Sequence, residues 1–260
     1  MSKVLKSLDE IANLHGTDKG TIGPSKQWGA HNFTDVYAAY MEKNRDKKIS
    51  LLEVGLGVTG DSWQSNIVHG RNSGGASIKM WYDYFPNADI YGIDVNPCSY
   101  LDNDRVKTFV VDQGNPKELD KFIETTKGVE FDYIIDDGSH RADHQQITLD
   151  LLFHKVKSGG VYFIEDLSDN GFDDGEVGRH SCDNVLSTRK LLKHYKQYRE
   201  FLSPNLLTNK QYLNENIEYL NFHSPLISFD VGLKASFRRP IHKTVRYNLN
   251  SELLCAISKC

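Results

Sequence analysis

Apolar residues recur along this chain with two periods, and the alternation between them predicts its elements. Val4, Leu5, Leu8, Ile11 and Ala12 fall on one stripe, which predicts an amphipathic helix over residues 3–13. The polar, glycine-rich run "HGTDKGTIGPSKQWGAHN" interrupts it, and helical spacing returns over 33–43. Short apolar runs then predict strands at "KISLLEV", "ADIYGIDV", "RVKTFVVD", "FDYIID" and "VYFIED". Between them lie helical segments: "ASIKMWYDYF", "PKELDKFIETT" opened by Pro116, and "ADHQQITLDLLFHKV", stopped near Ser158-Gly159-Gly160. A charged loop over 168–183, a helix over about 185–201 and two closing strands, "IEYLNFHS" and "LISFDVGL", complete the pattern.

Strands that alternate with helices imply right-handed crossovers and a mostly parallel α/β sheet covered on both faces. Such sheets take ligands outside the carboxyl ends of their strands. The polar residues that end the first five strands are Gly55–Gly60, Asp94, Asp112, Asp136–His140 and Glu165–Asp166, so one crevice should collect them all.

Composition narrows the function classes. At 260 residues, 39% hydrophobic and 25% charged, the chain suits one large globular domain or a domain with an appendage. A net charge of -4 provides no broad basic field for nucleic acid. Cys98, Cys182, Cys255 and Cys260 lack metal-binding or disulfide-framework spacing and read as free thiols of a reducing compartment. No apolar run is long enough to cross a membrane, and the opening residues lack the apolar core of a secretory signal; a cytoplasmic location is expected.

The run "EVGLGVTG" sets Gly55, Gly57 and Gly60 after the first strand, where glycines permit a tight turn and close approach of a ligand to backbone. Asp94, 34 positions beyond Gly60, can accept hydrogen bonds from two ribose hydroxyls. A nicotinamide-dinucleotide site would place that acid about 20 residues on. Glu53 just before the glycines points instead to an S-adenosylmethionine site. Asp112 and Gln113 suit the amino group and ring edge of adenine, with a turn-forming role for Asp112 as the alternative.

The ordered set "HGTDKG", "FTDVY", "LLEVGLG", "GGASIKMWYDYFPNADIYGIDVNP", "VVDQGN", "FDYIIDDGSH" and "SGGVYFIEDL" resembles class I S-adenosylmethionine-dependent methyltransferases. It is most similar to the metal-dependent macrolide sugar O-methyltransferases of the mycinamicin and macrocin type, over roughly residues 15–167. The resemblance implies a Rossmann-like fold with a seven-stranded sheet whose last strand is antiparallel, residues 216–233 supplying the final hairpin. An N-terminal helical and loop segment over 1–45 is expected to cover the active site, a cofactor-binding domain to span 46–235, and a tail over 236–260 to provide basic surface or oligomer contact. Phe33 stands where such relatives carry a tyrosine.

The implied activity is S-adenosylmethionine-dependent methylation of a hydroxyl on a sugar or glycosylated small molecule. The alternatives are a catechol, cephem-type or other acceptor, or a nucleotide-binding protein that does not methylate. Similar enzymes use the acids at Asp137 and Asp166 as metal ligands; Glu165 is a third candidate, unless strand alternation turns it away. Oxygen donors of this kind suit magnesium. The histidine of "DDGSH", His140, is implied as general base, a role that suits a side chain titrating near neutrality. Asp136 would hydrogen-bond backbone or cofactor. His144, one turn on, reads as a supporting or packing residue; "HRADH" superficially matches a zinc-protease motif, but Arg141 stands where that motif needs glutamate. Acceptor choice would be encoded after Asp166, where the resemblance fades.

Overall fold

The structure, a computed structural model, describes residues 5–22, 30–57, 74–167, 185–224 and 254–260. Its strands are β1 (Ser50–Val54), β2 (Asp89–Asp94), β3 (Val106–Val110), β4 (Phe131–Asp136), β5 (Val156–Ile164), β6 (Ile217–His223) and β7 (Leu254–Lys259). They form one sheet in the order β3-β2-β1-β4-β5-β7-β6. The first five strands run parallel, and β7 lies antiparallel between β5 and β6. This is the Rossmann-like methyltransferase fold, and it brings the carboxyl ends of β1 to β5 to one edge.

Seven helices are described: α1 (Leu8–His15), α2 (Thr34–Met41), α3 (Ala76–Tyr84), α4 (Pro116–Thr125), α5 (Ala142–Leu152), α6 (Thr188–Tyr198) and α7 (Lys210–Asn216). Local chemistry sets their ends. Ser7 and Glu10 form a reciprocal capping box on α1, and Gly16 closes that helix at φ 70°, a conformation glycine adopts without a Cβ clash. Asn115 caps α4 ahead of Pro116, and Ser187 caps α6.

Period two divides the core between the sheet's faces. Leu52, Val54, Ile134, Tyr162 and Ile164 pack with α4 to α6 on one face. Leu51, Tyr133, Ile135 and Phe163 pack with Tyr37, Trp81 and the N-terminal helices on the other. Burial on both faces explains why these strands read as continuous apolar runs.

Two expectations need correction. Ser158-Gly159-Gly160 does not precede β5 but lies inside it: helix α5 ends at Leu152, and β5 starts at Val156. The glycines form an irregularity in the pairing, where Phe131 faces Val156 but Tyr133 faces Val161. Among the described residues the partner of β6 is Leu254–Lys259; the run 226–233, expected as the second strand of the hairpin, lies outside the described residues. Residues 254–259, expected in the tail, are buried along their length. The charges of "RRPIHK" suggested a surface tail, but the apolar "LLCAI" beyond them suffices for an interior strand. Helix α7 was not anticipated.

Cys98, Cys255 and Cys260 are free thiols. No helix among the described residues is long and apolar enough to cross a membrane.

Candidate active site

Strand alternation sorts the acids at the sheet edge. Glu53, Asp137 and Glu165 continue the rows of Leu51, Ile135 and Phe163, so all three fall on the face covered by the N-terminal segment. Asp136 is out of phase and turns to the opposite face. There it is buried, accepting hydrogen bonds from Gln113 Nε2 at 3.1 Å and the Tyr162 hydroxyl at 3.4 Å. Burial pushes its carboxyl up to about 7, with Gln113 opposing the shift.

Asp137, His140 and Asp166 bring one ligand atom each to within 4.8 Å of one another. Their side chains keep between 22% and 27% of their surface exposed, so the group is reachable from solvent. His140 Nε2 lies 3.4 Å from Asp166 Oδ2, and His31 Nδ1 lies 3.9 Å from Asp166 Oδ1. His140 and Asp166 have φ of 59° and 52°, left-handed conformations that disfavour residues with a Cβ. That conformation lets Asp166, out of phase with Glu165, join the group. The Asp166 Oδ1 atom is shielded from water and has no hydrogen-bond donor among the described residues. Two carboxylates and an imidazole, with one carboxylate oxygen unsatisfied, fit a divalent cation of the magnesium or manganese kind.

Glu165, the third candidate ligand, lies outside this group. Its Oε1 atom accepts hydrogen bonds from Lys19 Nζ at 2.8 Å and from the Tyr37 hydroxyl. Lys19 Nζ also pairs with Asp137 Oδ2 and lies 3.8 Å from Glu53 Oε1. Lys19, Glu53 and Glu165 are each at most 1% exposed. Burial alone would depress the lysine, yet Asp137, Glu165, Glu53 and Asp18 hold its pKa well above the ordinary range. Burial raises Glu53 to about 7, opposed by Lys19, and raises Glu165 well above the carboxylate range, with Asp137 adding to the effect. Asp137 is also raised by burial, with Lys19 and His140 opposing.

The local fold explains how a loop lysine arrives here. The Lys19 carbonyl accepts from Phe33 N at 2.9 Å and Thr34 N at 3.2 Å; the Asp18 and Gly20 carbonyls accept from His31 N and Asn32 N. Asp9 ties the same loop from α1, accepting from Thr21 N at 2.8 Å and Thr34 Oγ1 at 3.1 Å. Tyr37 packs edge-on against Trp81 and Phe163, which aims its hydroxyl at Glu165. Phe33 is buried and meets His31 edge-on, so its ring serves packing.

The remaining predicted residues line the β1–β3 side. Asp94 accepts from Leu56 N at 2.9 Å and from Asn96 N at 2.8 Å, so it shapes the glycine turn. Gly55, at φ 82°, lies so close to Asp137 that a Cβ would sit 2.3 Å from that carbonyl oxygen. Its need for glycine is therefore explained by the packing of two loops. Gly57 has φ 59° and faces solvent; Gly60 lies outside the described residues. Asp112 accepts from Gly114 N at 2.8 Å, an Asx turn. The Gln113 side chain points inward, to Asp136, to Thr148 and, through Oε1, to Ser139 N at 2.7 Å. It ties the loop after β3 to the loop that carries His140. His144 Nδ1 meets Ser139 Oγ at 2.8 Å, and burial lowers its pKa.

Sequence reasoning gave no role to Lys19, Tyr37 or His31. Lys19 sits in "HGTDKG", a run carrying the family resemblance, but a lysine among turn formers otherwise reads as solvated.

A sheet in this order with acids at its edge is the class I methyltransferase fold. No protein-family model matches the chain. It is 37% identical over 161 residues to 8-demethyl-8-(2-methoxy-alpha-L-rhamnosyl)-tetracenomycin-C 3'-O-methyltransferase of Streptomyces olivaceus, a match to 62% of this chain and 36% of that protein. Demethylmacrocin O-methyltransferase of Streptomyces fradiae is 34% identical over 162 residues, covering 62% of this chain and 36% of the relative. Among solved structures, the MycE methyltransferase of the mycinamycin biosynthetic pathway, in complex with Mg, SAH and mycinamycin VI, superposes with a TM-score of 0.64 at 25% identity. That match covers 98% of this chain and 55% of MycE. The chain spans about a third of the length of these curated relatives.

Proposed function

We propose that this chain carries out S-adenosylmethionine-dependent, metal-assisted O-methylation of a sugar or glycosylated small molecule. The observation that carries the reading is the solvent-reachable group Asp137, His140 and Asp166, built at the edge where such sheets take their ligands. The names of the relatives support the acceptor class, since they describe O-methylation of a rhamnosyl tetracenomycin, of demethylmacrocin and of mycinamicin VI.

Asp137 and Asp166 would hold the cation beside His140, and Asp94 with the turn at Gly55 and Gly57 would hold the nucleoside and methionine parts of the cofactor. When bound, S-adenosylmethionine supplies an electrophilic methyl on a thioether leaving group, and a divalent cation lowers the cost of negative charge on the acceptor oxygen. His140 takes the proton of the acceptor hydroxyl. Asp166 orients its imidazole, and the left-handed turns at both residues hold the pair at the mouth of the site. Gln113 and Ser139 keep the loop after β4 in place.

The test is transfer of a labelled methyl group to a panel of rhamnosides and macrolide glycosides, with and without EDTA. Transfer should stop on chelation, return with magnesium, and be lost in Asp137→Asn and Asp166→Asn. Full activity in EDTA would remove the metal from the reading. Transfer only to catechols would replace the acceptor class, and calorimetric binding of NAD in preference to S-adenosylmethionine would end the methyltransferase reading.

A further inference from the structure

Lys19 is the least expected member of this site. A lysine side chain that is 1% exposed and meets three carboxylates is held at its base as well as its tip. Its carbonyl is locked by two backbone donors from the start of α2, and its ammonium spans from Glu165 to Asp137. It thus connects the N-terminal segment to a carboxylate at the mouth of the site, 118 residues away in sequence.

We propose, on the reading of Asp137, His140 and Asp166 as a cation site, that Lys19 is its positioning residue. By taking Asp137 Oδ2, Lys19 fixes the rotation of that carboxylate and leaves its remaining donor capacity turned towards His140 and Asp166. By taking Glu165 together with Tyr37, it keeps a neighbouring carboxylate out of the donor set. The simpler role for such a lysine is to neutralise buried carboxylates, and the two roles separate experimentally. Neutralisation needs only charge balance, whereas positioning needs the hydrogen bond to Asp137. Partners that orient metal-ligating groups typically contribute about 10- to 100-fold to metal affinity.

The experiment titrates Mn2+ into cofactor-free full-length protein and follows free Mn2+ by electron paramagnetic resonance, with folding checked by circular dichroism. The double variant Lys19→Met/Glu165→Gln removes the ammonium together with the ionisable carboxyl it meets. It should bind Mn2+ about 10- to 100-fold more weakly than the parent, while Glu165→Gln alone stays close to the parent. Parental affinity in the double variant would overturn the proposal and leave Lys19 as a counter-charge. A loss in Glu165→Gln equal to that of the double variant would overturn it too, by making Glu165 the group that matters. Lys19→Arg retains the charge but displaces it, so it decides the matter if the double variant does not fold: weakened Mn2+ binding supports positioning and parental binding overturns it. If the parent binds no Mn2+, the cation-site reading fails and the proposal with it, an outcome distinct from binding that ignores Lys19.

Discussion

Glu53 and Glu165 end strands beside Asp137 and Asp166, yet the two sets of acids have different fates. The glutamates are sealed, at most 1% exposed, and Lys19 from within the chain answers their charge. The aspartates remain about a fifth exposed and gather around His140. Carboxylates crowded in this way repel one another and would take up protons unless a cation relieves them. In the sealed set Lys19 lies against the carboxyls and their raised pKa values hold protons on them; in the open set, where Lys19 reaches only Asp137, there is room for an arriving cation. A side chain that ends a strand is therefore not functional by position alone: what matters is whether the fold has already satisfied its charge.

This contrast yields ordered expectations. The largest effect belongs to the open side: His140→Ala should lower turnover on the order of 10²–10⁴-fold, the usual worth of a positioned base. Its thermal midpoint should stay near the parent's, and near-parental turnover in a folded variant would assign the proton elsewhere. On the sealed side, Lys19→Met leaves buried carboxylates without their partner and should cost roughly 3–5 kcal/mol of stability in urea titrations. An unchanged urea midpoint would erase the distinction between the two sides.

The pH dependence sharpens it further. Glu53 titrates at about 7 in the fold, against an ordinary value of 4.5. Between these values the folded protein holds the extra proton, so this group's contribution is fully present below about pH 4.5 and is lost as pH rises towards 7. Glu53→Gln cannot titrate, and its stability relative to the parent should rise across that window by at most roughly 3 kcal/mol. Parallel pH profiles would show that the Glu53 carboxyl is not shifted. A further effect should be seen away from both sets: Asp94→Ala should weaken S-adenosylhomocysteine binding by about 1.5–3 kcal/mol for each charge-assisted hydrogen bond lost. Calorimetry showing equal affinity would remove Asp94 from the nucleoside site. Because Asp94 also holds Leu56 N, the variant should loosen the glycine turn as well.

Strands β1 to β4 were legible within a residue or two of their ends, since a buried parallel strand is a short apolar run bounded by polar residues. The edge that collects Asp94, Asp137, His140 and Asp166 followed from strand–helix alternation alone. The inward turn of Gln113 and the split between Asp136 and Asp137 did not follow so directly. Period two says that neighbours face opposite ways, but only packing against Tyr162 on one face and Lys19 on the other says which way each faces.

By itself, then, the sequence determined what local patterns encode: the order of strands and helices along the first two-thirds of the chain, their caps, and the clustering of acids at strand ends. Tertiary structure alone decided which carboxylates are sealed and which remain open, because Lys19 reaches Asp137 and Glu165 across 118 and 146 residues. It also decided that Leu254–Lys259 enters the sheet between β5 and β6. Periodicity reports on neighbours in the chain, whereas a buried ion pair or an inserted strand is stabilised by partners that only the folded chain brings within reach.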